Sequence, residues 1–240
     1  METFTKTKVL LLFTSVCTAL FTAVVLYSKS LPKHNPKQWE SQIQSIEKRL
    51  KDFPQNGVFF YGSSSIRKWV KLKENFKPLP VFNAGFGGSI LSDLTFFAPR
   101  LLGNITPKAI VIYAGDNDLF SSRLNLSPED TLDNFILLVK KINDLIHSGS
   151  SVKIYFISVK PSPSRKVAWK KMEKANFLIK SWADKIDNVF YIDTASEMLN
   201  GDGTFRDELF IPDGLHMNQK GYDLWTKIIQ EAFKFTLEKQ

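Results

Sequence analysis

Five short apolar runs, separated by stretches of helical periodicity, most constrain what this chain can fold into. They are Val58 to Tyr61, Val81 to Asn83, Ala109 to Tyr113, Val152 to Val159 and Val189 to Asp193. Rich in β-branched and aromatic residues, they read as strands buried on both faces. The intervening segments predict helices from Ser92 or Asp93 as the cap through Leu102, from Ser127-Pro-Glu-Asp130 to about His147, and from about Arg165 to Lys185. A terminal helix is expected from Asn218 to about Glu238, carrying Tyr222, Trp225, Ile228, Ile229 and Phe233. After the first strand, Trp69, Leu72 and Phe76 continue a helix or a loop. Strands alternating with crossover segments five times predict an α/β fold built on a parallel, doubly wound sheet with right-handed connections.

A chain of 240 residues, 43% hydrophobic, is enough for one domain with a short appendage. The net charge of +8 comes from scattered rather than clustered lysines, and no nucleic-acid-binding motif is present. The charge therefore implies a basic surface that tolerates anionic membranes or polymers, not a nucleic-acid partner. Cys17 is the one cysteine, so no internal disulfide forms and the redox compartment stays undetermined.

The appendage is N-terminal. Val9 to Tyr27 holds no charged residue, with Lys6 and Lys8 before it and Lys29 and Lys33 after it. As a helix it would span about 28 Å, close to the hydrocarbon thickness of a bilayer. An uncleaved signal anchor is the expectation, with the following domain on the exported side. A cleaved signal peptide is the alternative, although Ser28-Lys-Ser30 is a poor cleavage site. A soluble core helix is the third reading, disfavoured because nothing polar marks a second face. The expected organisation is thus an anchor or signal over residues 1–30, a linker and amphipathic helix over 31–54, and a globular domain over 55–240. In the second segment Trp39, Ile43, Ile46 and Leu50 recur at helical spacing from Lys37 to Asp52, and Pro54 and Gly57 end the helix.

Four polar motifs follow strands or precede helices. Gly62-Ser-Ser-Ser65 leaves the first strand, where α/β proteins bind ligands and where a serine can act as a nucleophile or simply cap a helix. Asn83-Ala-Gly-Phe-Gly-Gly-Ser89 leaves the second; its glycines allow a nest of backbone N–H groups, half of an oxyanion hole, or a plain tight turn. Gly115-Asp-Asn-Asp118 leaves the third and can aim the Asn117 amide into the crevice as an uncharged donor. Asp213-Gly-Leu-His216 precedes the terminal helix, and a carboxylate this near a histidine can orient its ring. The same Asp-x-x-His could supply two metal ligands, but no further His or Cys cluster supports this. His34 lies in the linker and His147 at a helix end. The Pro-rich loop Lys160-Pro-Ser-Pro163 lies at the same sheet edge.

Taken in order, the four motifs resemble those of the SGNH (GDSL-type) hydrolase family over residues 58 to 233. Gly62-Ser-Ser64 is similar to the first block, Asn83-Ala-Gly-Phe-Gly-Gly88 to the second, Gly115-Asp-Asn117-Asp118 to the third and Asp213-Gly-Leu-His216 to the fifth. The family's usual Gly-Asp-Ser has Ser63 in place of Asp, a residue outside the triad. The resemblance implies a flavodoxin-like three-layer α/β/α sandwich with strand order 2-1-3-4-5. It implies a serine esterase with Ser64, Asp213 and His216 as triad, and with Ser64, Gly88 and Asn117 forming the oxyanion hole. No cofactor and no metal are implied. The expected partners are a small-molecule, glycan or lipid acyl ester and, through residues 9–27, a membrane. O-acyl transfer, thioester cleavage and lysophospholipid cleavage are variants on the same site. A catalytically silent, membrane-anchored binding module is the rival of another class.

Overall fold

A computed structural model describes residues 34–121, 124, 126–146 and 152–237. The apolar run 9–27 and His147 lie outside the described residues, so the anchor and helix-end expectations have no structural counterpart. Among the described residues, no helix is long and apolar enough to cross a membrane. The chain divides into two compact units, Met1–Asn35 and Pro36–Gln240.

The second unit holds a parallel five-stranded sheet: β1 (Val58–Gly62), β2 (Val81–Gly85), β3 (Ala109–Tyr113), β4 (Lys153–Ile157) and β5 (Val189–Ile192). The spatial order is 2-1-3-4-5. Its α-helices are α1 (Glu40–Leu50), α2 (Ser64–Arg67), α3 (Leu72–Asn75), α4 (Leu91–Leu102), α5 (Asp116–Phe120), α6 (Pro128–Leu145), α7 (Trp169–Ala183) and α8 (Gln219–Thr236). Side chains alternate across each strand and so divide the core in two. Phe59, Tyr61, Ile110, Ile112, Ile154 and Phe156 pack on one face with Ile43, Leu94, Phe97, Phe135 and Ile179 from α1, α4, α6 and α7. Phe60, Val111, Tyr113, Tyr155 and Ile157 pack on the other with Ile66, Leu72, Trp225 and Ile229 from α2, α3 and α8. Each fully buried side chain of this size contributes about 1.5–3 kcal/mol of transfer free energy, which explains why apolar runs without alternation settle in the middle layer.

Register decides where the loops emerge. Gly62 pairs with Gly85 on one side and Tyr113 on the other, so β1, β2 and β3 end level. The three motifs that follow these strands therefore open along one edge, at the point between β1 and β3 where strand order reverses and open α/β sheets bind ligands.

Some boundaries differ from the sequence expectation, each for a local reason. The helix after β2 is capped by neither Ser92 nor Asp93. Ile90 is the cap residue, and Asp93 three positions on accepts the Ile90 N–H at 3.1 Å. The segment after β1 forms two four-residue helices, α2 and α3, because Trp69 and Phe76 turn inward between and after them to pack on Phe60. The α6 start is as expected: Ser127 Oγ accepts the Asp130 N–H at 3.0 Å and Asp130 Oδ2 accepts the Ser127 N–H at 2.8 Å. That reciprocal pair satisfies two donors that a helix start otherwise leaves open. Arg165 does not open α7. It lies in a 3-10 helix, Pro163–Ala168, with non-helical backbone angles, and α7 begins at Trp169.

Candidate active site

The turn after β1 is set by a close approach. A Cβ on Gly62 would meet the Tyr113 carbonyl oxygen at 2.1 Å, so only glycine lets β1 run against β3 to its last residue. Beyond it the three serines take different environments. Ser63 is buried, and its hydroxyl meets no partner among the described residues. Ser65 is also buried, with its hydroxyl accepting from Lys160 Nζ at 3.1 Å and its carbonyl accepting from the Tyr222 hydroxyl at 3.0 Å. Ser64 faces His216, with 3.0 Å between its Oγ and Nε2.

His216 is presented by a pinned loop. Phe210 bridges Met217, and the Ile211 N–H donates to the His216 carbonyl at 2.9 Å. Within the loop Asp213 accepts from the backbone N–H of Leu215 at 2.9 Å and of His216 at 2.8 Å, and its Oδ2 lies 2.6 Å from His216 Nδ1. Desolvation pushes the Asp213 carboxyl up, but the His216 ring and the two backbone donors outweigh it and hold it at about 2. An ionised carboxylate only accepts, so the Nδ1 it meets carries the proton. In the neutral imidazole this leaves Nε2 with a lone pair directed at the Ser64 hydroxyl.

The second motif forms the turn after β2. Gly88 has φ +74, a left-handed conformation that favours glycine, and a Cβ there would meet the Trp39 ring at 3.0 Å. The neighbouring Gly87 N–H donates to Gln42 Oε1 at 2.9 Å, and Ser89 Oγ donates to the Phe86 carbonyl at 3.1 Å. Asn117, from the turn after β3, donates its amide to the Ser89 carbonyl at 2.9 Å, which joins the second and third motifs directly. Next to it, buried Asp118 accepts the Leu91 N–H at the start of α4, and burial pushes its carboxyl up to about 7.

The structure thus brings Ser64, His216 and Asp213 into hydrogen-bond contact, and it joins Gly88 and Asn117 through Ser89. Asp193, directly after β5, is engaged elsewhere: it accepts from the Ser196 N–H at 3.1 Å and from its hydroxyl at 2.6 Å. Among the described residues, no group of three or more His, Cys, Asp or Glu residues is placed to hold a metal ion.

Sequence reasoning missed a buried charge cluster beneath this edge. Lys160 (1% exposed) reaches Ser65, the Tyr113 hydroxyl at 2.9 Å and Asp116 Oδ2 at 3.3 Å. Arg165 (9% exposed) lies 3.2 Å from the same Asp116 oxygen and donates to Asn117 Oδ1 at 2.8 Å. Burial pushes the Lys160 ammonium down. Burial alone would raise Asp116, but the two cations hold it below the usual carboxylate range. The one available signal was the loop Lys160-Pro-Ser-Pro163, noted for its place at the edge but not for its charges.

A parallel five-stranded sheet in the order 2-1-3-4-5 with helices on both faces is the fold of the SGNH (GDSL-type) hydrolases. Residues 57–224 match the family described as GDSL-like Lipase/Acylhydrolase, and the chain belongs to that family. Similar solved structures include a Streptococcus pneumonia protein, 18% identical, with 88% of this chain and 98% of that one covered at TM-score 0.70. A Bacteroides fragilis protein is 23% identical, over 81% and 96% of the two chains, at TM-score 0.68. A GDSL-like lipase from Bacteroides thetaiotaomicron is 21% identical, over 85% and 98%, at TM-score 0.63. At these identities the likeness establishes the fold. No curated protein matches.

Proposed function

We propose that the protein is a serine esterase that cleaves esters of small acyl groups through a covalent acyl-enzyme. Membership of a lipase and acylhydrolase family supports ester hydrolysis. The observation that carries the finer reading is the run of contacts from Ser64 Oγ to His216 Nε2, 3.0 Å, and from His216 Nδ1 to Asp213 Oδ2, 2.6 Å. In this reading Ser64 Oγ attacks the ester carbonyl carbon while its proton passes to His216 Nε2. Asp213 stabilises the imidazolium that results. The Ser64 and Gly88 N–H groups and the Asn117 amide receive the oxyanion, each donor contributing about 10²–10³ in rate. Collapse of the tetrahedral species breaks the C–O bond, and His216 gives its proton to the departing alkoxide. Water then adds to the acyl-enzyme with His216 again taking a proton; the bond from the acyl carbon to Ser64 Oγ breaks, His216 returns the proton to Ser64, and the carboxylic acid leaves.

The acyl and alcohol parts are tested by assaying the detergent-solubilised full chain on p-nitrophenyl esters of two to twelve carbons, acetylated sugars, lysophospholipids and acyl thioesters. Turnover highest on acetyl or other short esters supports the proposal. Preference for long acyl chains or thioesters contradicts the small-acyl reading, and transfer to an added sugar in place of hydrolysis makes the protein an O-acyltransferase. We further infer membrane attachment through residues 9–27 with the catalytic domain exported, on the strength of a charge-free run of nearly spanning length. The full chain should stay with membranes through a carbonate wash. Its release would refute the anchor, and a mature N-terminus near residue 31 would indicate a cleaved signal peptide.

A further inference from the structure

Asn117 is held by its oxygen as well as by its nitrogen. Its Nδ2 donates to the Ser89 carbonyl at 2.9 Å, and its Oδ1 accepts from Arg165 Nη2 at 2.8 Å. An amide nitrogen has two N–H groups, so one remains after the Ser89 bond. Both bonds together fix which end of the amide faces the guanidinium and which faces the turn. A cation on the amide oxygen also polarises the group and strengthens its remaining N–H as a donor.

Arg165 is itself clamped. Nη1 lies 3.2 Å from Asp116 Oδ2, and the guanidinium sits 4.9 Å from the Phe120 ring centre. The same Asp116 oxygen receives the Lys160 ammonium and the Tyr113 hydroxyl, at 3.3 and 3.2 Å. The short segment carrying Lys160 and Arg165 thus touches the nucleophile turn through Ser65 and the third motif through Asn117. It reaches the acid–base loop as well, where the Ser164 N–H donates to the Gly214 carbonyl at 3.0 Å. Two cations and one anion buried together form a costly staple, since such clusters rarely stabilise a fold more than apolar residues of the same volume. A geometric task accounts for the cluster better than stability does. Arginine suits it because its rigid planar fork engages Asp116 and Asn117 in one fixed geometry, which the flexible single ammonium of a lysine does not impose.

We propose that Arg165 is a positioning residue that orients and polarises the Asn117 amide for the oxyanion, with Asp116, itself bound by Lys160 and Tyr113, holding the guanidinium in place. The proposal rests on the esterase reading above, and goes beyond it in giving a role to a residue that touches no substrate. The test is a double-mutant cycle on the detergent-solubilised full chain with p-nitrophenyl acetate, with folding followed by circular dichroism. Arg165→Lys should lower kcat by about 10–10² with KM within about threefold of the parent, because the interaction serves the transition state only. Asn117→Ala should lose about 10²–10³, and the double variant should be within about twofold of Asn117→Ala. Arg165→Gln replaces Arg165→Lys should the latter fail to fold. A folded Arg165 variant with kcat within about twofold of the parent overturns the proposal, as does a double variant whose losses multiply. If Ser64→Ala is dead while the Arg165 variants remain fully active, the positioning role alone fails. If Ser64→Ala keeps parental activity, the esterase reading fails with it.

Discussion

Ser64→Ala is expected to abolish ester turnover while leaving the protein folded. Loss of the nucleophile in a serine protease costs about 10⁶ in kcat, and a comparable loss is expected here. The motif alone offers three adjacent hydroxyls, and the structure separates them. Ser63 points into the protein, and Ser65 takes a hydrogen bond from Lys160. Only Ser64 meets His216 Nε2. Its hydroxyl supports no other contact described for the fold, so the alanine variant should melt close to the parent. A fluorophosphonate should label the parent on the peptide containing residues 63–65, with fragmentation placing the adduct on Ser64. An adduct on Ser63 or Ser65, or a Ser64→Ala variant with undiminished turnover, would refute the assignment.

Asp213→Asn should be the next most damaging change, costing about 10²–10⁴ in kcat. The upper figure is that of a serine protease whose acid becomes an amide and whose histidine is then held in the wrong tautomer. Here the amide can turn its NH₂ towards Nδ1, which places the ring proton on Nε2. That nitrogen could no longer accept from Ser64. Backbone N–H groups that hold the carboxylate favour the opposite amide orientation, which explains the wide range. Asp193→Asn is the control, and should stay within about threefold of the parent because Asp193 is committed to Ser196 in its own turn. A dead, folded Asp193→Asn beside a fully active Asp213→Asn would transfer the acid role. The pH profile gives a second check. Asp213 is depressed in the fold, so the stability it contributes is present above its ordinary value and is lost only as pH falls through about 2. Activity lost on acidification well above that point must come from another group.

The layered fold and the order of its motifs were legible in the sequence because both depend on local pattern. Buried parallel strands write themselves as unbroken apolar runs, and each motif occupies only a few consecutive residues after one strand or before one helix. Ser64, His216 and Asp213 were readable as candidates even though the first lies 152 residues from His216. Each sits within its own recognisable block. Lys160 and Arg165 were not legible for the converse reason. A lysine in a Pro-rich loop and an arginine at an expected helix start are both expected at the surface. Their burial follows only once β3 and β4 set the loop against the turn holding Asp116, 44 residues back from Lys160. The sequence also gave no reason to break the segment after β1 into two short helices. That break is imposed by Trp69 stacking on Tyr222 of α8, more than 150 residues away.

The packing of Trp39 and Gln42 on the Gly87–Gly88 turn bears on where this catalytic unit begins. Similarity to the family starts at residue 57, yet the Gly87–Gly88 turn leans on side chains at 39 and 42. Trp39 also donates to Asp93 Oδ2 at 3.0 Å, the same oxygen that caps the start of α4. A polypeptide trimmed to the matched segment would therefore keep Ser64, Asp213 and His216 but lose the buttress of its own glycine turn. The segment that matches the family and the segment that shapes the glycine turn therefore have different edges, one at residue 57 and the other at Trp39.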